Sequence, residues 1–251
     1  MQQQSKYISA ALVVLAIGIL ALQPGMTSAQ TTLNESSNTS SSSSLSREDD
    51  NVTSDSTQAT TNASNRFSLQ SLKGEGAPIL GAESAPAIII DFSDFQCPRC
   101  ERYVESTEPE IKKEYIETGN VAYVFKHFPW RGIDSFSAAL ASECANEQGK
   151  FWEYHDVLFQ NQQGVDSGWA SREKLKEFAS AIGLDRQQFD SCLDSEKYKL
   201  NIDRDLALVD ELALDTTPSF LILNSDGTEM EILEGAHPFS SFKALIDKRL
   251  S

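Results

Sequence analysis

The sequence predicts an α/β domain with a helical insertion. Three observations carry that reading. A strand–helix–strand run occupies about the space of one crossover unit. Several helical stretches follow with no strand between them. A short hairpin and a last helix then close the chain.

Each element has its own signal. Ala87-Ile88-Ile89-Ile90-Asp91-Phe92 is an almost continuous apolar run, as expected for a strand at 87–93 buried on both faces. Residues 98–118 read as a helix. Pro98 suits the first helical position, where no N–H is needed, and Gly119-Asn120 closes it. Residues 121–128 are β-rich and stop at Pro129. Residues 134–163 look helical with a break near Gly149, and 171–182, 187–193 and 195–214 add further helix. The insertion therefore covers about 134–214. Short strands at 220–223 and 228–233 flank the turn Asn224-Ser225-Asp226-Gly227. Residues 239–250 form the last helix.

The 251-residue chain divides by composition. Residues 1–29 hold a short polar start, one lysine and an apolar run from Ile8 to Leu22. That run is short for a membrane span and suits the core of a signal peptide, with Thr27-Ser28-Ala29 as a cleavage site. An uncleaved membrane anchor is the alternative. Both send the rest of the chain outside the cytoplasm, either secreted or tethered to the outer face of the cytoplasmic membrane. Residues 30–66 form a disordered linker. Ser, Thr and Asn supply 25 of the 40 residues at 27–66, too polar to offset the entropy of ordering. The linker carries four glycosylation sequons, at Asn34, Asn38, Asn51 and Asn62. In so Ser-rich a tract an unmodified spacer is the plain alternative. Residues 67–251 are long enough for one domain with a real core. The net charge of −16 argues against a nucleic-acid partner.

The chemistry centres on Cys97-Pro98-Arg99-Cys100, placed where a strand turns into a helix. There the first sulfur meets unpaired backbone N–H groups and the positive end of the helix dipole. Both favour the thiolate, which is the reactive form. Cys97 is therefore the expected exposed, low-pKa nucleophile and Cys100 the resolving thiol. Arg99 adds a cation that should favour the Cys97 thiolate and make the disulfide more oxidising. A zinc site needs two further ligands. Cys144 and Cys192 stand apart, and His127, His155 and His237 show no paired spacing, so no metal is expected. A purely structural Cys97–Cys100 bridge is disfavoured by the helix-start position. His155 reads as a packed helix residue, and Phe128, Trp130 and Phe136 as core aromatics rather than a substrate groove.

The segment from Asp91 to Cys100 resembles the active site of DsbA-like thiol–disulfide oxidoreductases of the thioredoxin superfamily. Three other stretches are similar to the same family. Gly149-Lys150-Phe151-Trp152-Glu153-Tyr154-His155 resembles its helical insertion. Asp215-Thr216-Thr217-Pro218-Ser219-Phe220 resembles its cis-proline loop, and Gly235-Ala236-His237-Pro238 the start of its last helix. The resemblance spans about 81–251. It implies a thioredoxin-like fold with the helical insertion between the strand–helix–strand unit and the C-terminal hairpin–helix. It also implies a cis Thr217–Pro218 peptide against the two sulfurs, and a buried acid at Asp91 exchanging protons with the resolving thiol. Lys126, on the next strand, is the candidate charge partner of Asp91, a solvated side chain being the alternative. Arg99 departs from the histidine or tyrosine common in the motif.

The function these residues imply is an extracytoplasmic oxidase that passes the Cys97–Cys100 disulfide to cysteines of exported proteins. The disulfide is its own redox group, with no separate cofactor. Reoxidation would fall to a membrane redox partner, as in the family. A reductase or isomerase with the same site, and a redox-inert peptide-binding module, are the alternatives. Assigning Cys97–Cys100 to the redox site leaves Cys144 and Cys192 as partners for a structural disulfide in an oxidising compartment. Two buried free thiols are the alternative there.

Overall fold

Seven consecutive buried residues place β2 (Ala87–Ser93) at the centre of the sheet. The computed structural model describes residues 69–74 and 76–251. The apolar run at 8–22, the linker and Asn34, Asn38, Asn51 and Asn62 lie outside the described residues. The chain begins with α1 (Leu69–Lys73) and β1 (Ile79–Leu80), then β2, α2 (Pro98–Ser106), α3 (Glu108–Ile111) and a π-helical turn (Lys112–Ile116). It continues with β3 (Val121–His127), α4 (Ile133–Asn146), α5 (Phe151–Gln160), α6 (Arg172–Ala181), α7 (Arg186–Asp194) and α8 (Lys199–Glu211). The hairpin β4 (Ser219–Asn224) and β5 (Met230–Glu234) precedes α9 (Phe239–Leu250).

The sheet has five strands in the order β1-β3-β2-β4-β5. β2 and β3 are parallel, joined by the α2–α3 crossover, and β4 runs antiparallel to β2. Ile88, Ile90, Phe92, Val124, Leu221 and Leu223 share one face, against Leu72, Val209 and Leu214. Ala87, Ile89, Tyr123, Phe220 and Ile222 share the other, against Tyr103, Phe242 and Ile246. Alternate residues on strands point to opposite faces, so both layers fill from one apolar run. Each buried Ile or Phe contributes about 2 kcal/mol. The helical insertion has its own core, which reaches Phe95, Cys97, Cys100 and Phe125 at the carboxyl ends of β2 and β3. Among the described residues no helix is long and apolar enough to cross a membrane.

The helix expected at 98–118 is interrupted at Thr107, whose φ and ψ are −112° and −44°. Pro109 explains the break, because it has no N–H for the carbonyl one turn earlier. The π turn and Gly119, at φ +75°, then end the segment. The helix expected from 195 begins at Lys199. Neither α1 nor the two-residue β1 was signalled by periodicity. β1 pairs with β3 only through Ile79 and Leu80. Gly81 follows at φ +91°, and a Cβ there would lie 2.8 Å from the Val121 carbonyl oxygen.

Candidate active site

Cys97 is the N-cap of α2, with extended φ and ψ of −82° and 118°, and Pro98 follows in the first turn. No side chain caps this helix end, so the backbone N–H groups of Arg99 and Cys100 serve the Cys97 sulfur. The Thr217–Pro218 peptide is cis, and the Thr217 carbonyl accepts a hydrogen bond from Cys97 Sγ at 3.3 Å. Trp130 Nε1 donates to Thr217 Oγ1 at 2.9 Å, which leaves the Thr217 hydroxyl proton free to face the sulfur. Cys97 and Cys100 are unbridged in this structure.

The two sulfurs have opposite acidities. The Cys97 thiol is pulled down to about 4. The largest cause is its hydrogen bond with Cys100; Thr217 and the Cys100 and Arg99 backbone N–H groups add to it, and burial opposes them. Burial pushes the Cys100 thiol well above its ordinary value, and the adjoining Cys97 and Asp91 charges push it further. One sequence expectation is corrected here. Cys97 is not exposed: its accessibility is 0 %, because the cis-proline loop lies against it. The Arg99 guanidinium binds Thr216 Oγ1, while the Arg99 backbone N–H serves the sulfur.

Asp91 lies at the carboxyl half of β2, completely buried. Ser93 Oγ donates to its Oδ1, and Tyr123 Oη donates to Oδ2 at 2.8 Å. The Tyr103 hydroxyl sits 3.1 Å from that of Tyr123. Burial raises the Asp91 carboxyl to about 7, against the pull of the Ser93 and Tyr123 hydrogen bonds. Lys126 is not its partner. Asp91 pairs in register with Phe125, so Lys126 falls on the opposite face and binds Asp205 of α8 at 2.8 Å.

Sequence reasoning missed the clamp beneath the cysteines. Asp94 accepts from the Gln96 N–H at 2.8 Å, from the Trp130 and Arg131 N–H groups at 3.1 Å, and from Ser135 Oγ at 3.0 Å. It fixes the approach to Cys97 against the loop after β3. Gln96 continues the clamp, donating to Ser135 Oγ at 2.9 Å and accepting from the Asp166 N–H at 2.7 Å. Trp130, set aside as core, is 48 % exposed beside the cis-proline loop. Tyr103 and Tyr123 were likewise unmarked, since only the fold brings them to Asp91. Cys144 of α4 and Cys192 of α7 are joined, with an S–S distance of 2.01 Å.

Among the described residues, Glu108, His155 and Asp156 place ligand-type atoms within 4.8 Å of one another. His155 presents Nδ1 to Asp156 and Nε2 towards Glu108, which are diverging directions from one ring. The trio therefore does not converge on one metal centre.

A thiol at a helix N-terminus, its buried partner one turn on and a cis-proline loop across them define a thiol–disulfide oxidoreductase. Such an enzyme exchanges disulfides with cysteine-containing partners. A thioredoxin family model matches residues 73–248, so the chain belongs to the thioredoxin family, within its DsbA-like members. It is 27 % identical over 179 residues to disulfide bond formation protein D of Bacillus subtilis, covering 70 % of this chain and 78 % of that one. It is 31 % identical over 176 residues to the "Probable disulfide bond formation protein D" of Bacillus cereus, covering 68 % and 77 %. The crystal structure of oxidised BdbD from Bacillus subtilis superposes with a TM-score of 0.63 at 27 % identity, covering 70 % of this chain and 94 % of that chain. That of Wolbachia pipientis alpha-DsbA1 gives 0.61 at 25 % identity, covering 70 % and 91 %.

Proposed function

We propose that the enzyme works as a disulfide oxidase outside the cytoplasm, with Cys97 as the exchanging sulfur and Cys100 as the resolving one. The observation that carries this direction is the split in acidity, Cys97 at about 4 and Cys100 far above it. A stable Cys97 thiolate favours the reduced enzyme, and so makes its disulfide a stronger oxidant. The relatives named for disulfide bond formation support the same direction.

The cycle balances at the sulfurs. A substrate thiolate attacks Cys97 of the disulfide, the Cys97–Cys100 bond breaks, and Cys100 leaves and takes a proton from Asp91. A second substrate thiolate then attacks the substrate sulfur of the mixed disulfide and releases the Cys97 thiolate. Two electrons pass from substrate to enzyme. In reoxidation Cys97 attacks a disulfide of a redox partner. Cys100 then gives its proton to Asp91, attacks Cys97 and expels the partner as thiolate. The sulfur pair is the only redox group this cycle uses. A membrane-bound partner supplies the oxidant, and the segment at 1–29 directs the domain outward as a signal peptide or tether. The substrates are cysteines of exported proteins.

Trapping tests the assignment of roles. Cys97→Ser abolishes oxidation of a reduced peptide, whereas Cys100→Ser accumulates a mixed disulfide at Cys97, read by mass spectrometry without reduction. Undiminished activity in Cys97→Ser would overturn the assignment.

A further inference from the structure

Glu108 and His155 form a buried facing pair that the disulfide chemistry does not use. The His155 ring on α5 is enclosed by Phe95, Phe125, Phe151, Trp152 and Phe159, with centroid separations from 4.9 to 6.1 Å. Phe95 stands two residues before Cys97, so the imidazole lies directly behind the active-site segment. His155 Nδ1 meets Asp156 Oδ1 at 2.9 Å. His155 Nε2 and Glu108 Oε2 have no hydrogen-bond partner, and they lie 4.0 Å apart. Both residues are at least nine-tenths buried. Two unpartnered polar atoms facing each other in a core cost about 1–3 kcal/mol each. An approach of about 1 Å would join them in a charge-assisted hydrogen bond. A cavity of about 280 Å³, lined in part by Glu108, Lys112 and Asp156, lies against one side of the pair.

We propose that Glu108 and His155 are a proton-sharing pair that positions the proton of Asp91, and so sets the pH at which Cys100 can resolve a disulfide. This rests on the reading in which Asp91 is the proton partner of Cys100. The pair sits one layer of rings from Asp91: Phe125, in register with Asp91, packs 5.5 Å from the His155 ring, and Trp152 lies 5.8 Å from Tyr123, which donates to Asp91, and 5.3 Å from His155. A charged Glu108 strengthens proton binding at Asp91, and a charged His155 weakens it. Glu108 itself is raised by burial, with His155 and Lys112 opposing and Asp156 adding to the rise. The groups facing Asp91 are Ser93, Tyr123, Cys100 and, beyond them, Tyr103. None of these four carries a charge at neutral pH while Cys100 is a thiol. The Glu108–His155 pair is therefore the adjustable charge near Asp91. The two members act on Asp91 in opposite senses, so losing one leaves the other unopposed.

The test follows the resolving step. Reduced full-length protein reacts in a single turnover with an aromatic disulfide, and the second phase reports attack by Cys100 on the mixed disulfide. In the wild type its rate rises with pH through a midpoint near Asp91's value of about 7. His155→Gln moves that midpoint up by about half a pH unit or more, and Glu108→Gln moves it down by a similar amount. The double variant returns close to wild type. Asp156→Asn, at a half-exposed position that should fold normally, keeps an acceptor for Nδ1 but removes its negative charge, and moves the midpoint upward. Opposite shifts from the two buried variants are what a merely structural role cannot produce. Unmoved midpoints, or shifts of one sign in both single variants, would overturn the pair. Asp91→Asn separates the two claims. If it removes the pH dependence while the pair variants do not move it, only the pair fails. If it leaves the dependence intact, the role of Asp91 fails first.

Discussion

At the scale of the residue, Cys97 owes its acidity first to its hydrogen bond with Cys100, then to Thr217 and the first N–H groups of α2, while the Arg99 guanidinium binds Thr216. Titrating the ultraviolet absorbance of the thiolate in the reduced protein should give a midpoint near 4. Thr217→Ala removes a hydroxyl that can donate to the thiolate, and should raise that midpoint by about half a unit to one unit. Arg99→Met keeps the backbone N–H and should move it less. A larger shift from Arg99→Met would show that the guanidinium charge governs the site. The sign for stability follows from a folded pKa below the unfolded one. The reduced protein's added stability is complete above the unfolded thiol value of about 8.5 and falls with pH below it. It is gone once the pH passes below about 4, an effect the oxidised protein lacks. Asp91 works in the opposite sense, since burial holds its proton on up to about 7.

At the scale of the element, the site depends on the short stretch between β2 and α2. Asp94 binds three backbone N–H groups and one hydroxyl, so Asp94→Ala leaves the buried Gln96 N–H and Ser135 hydroxyl and the part-buried Trp130 and Arg131 N–H groups without this acceptor. Denaturant unfolding of the oxidised variant should show a loss of about 2–4 kcal/mol. A loss below about 0.5 kcal/mol would mean that the loops hold themselves without it. Much at this scale was legible in the sequence. Continuous apolar residues marked β2, and the Gly119-Asn120 stop and the hairpin turn marked their own ends. Other features were not legible, for physical reasons. Pro109 broke a helix that composition alone carries to 118. Lys126 was paired with the wrong acid, because the partner on its own face, Asp205, is 79 residues away. Asp94 carries no sequence signal of this role, since its partners at 130, 131 and 135 become neighbours only after β3 is laid beside β2.

At the scale of the whole molecule, the domain separates a structural disulfide from an exchanging one. Cys144–Cys192 ties α4 to α7 within the insertion, across a sequence separation of 48. Closing a loop of that length adds up to about 4 kcal/mol by the chain-entropy account. Mild reductant should open Cys97–Cys100 first, and peptide mapping should find Cys144–Cys192 still joined. Simultaneous alkylation of all four cysteines would contradict this division. The cysteine motif and the Thr-Pro before the hairpin made the redox centre readable from the chain. The buried partners Tyr103, Tyr123, Glu108 and His155 were not readable, because they come from separate elements and carry no shared spacing.

The central claim is that these arrangements poise Cys97–Cys100 as an oxidant. It is tested most directly by the reduction potential of that pair, measured by equilibrating the protein with glutathione buffers and counting the alkylated cysteines. The account predicts a potential on the oxidising side, nearer to roughly −120 mV than to −270 mV. A potential at or below roughly −270 mV would contradict it and assign the enzyme to reduction.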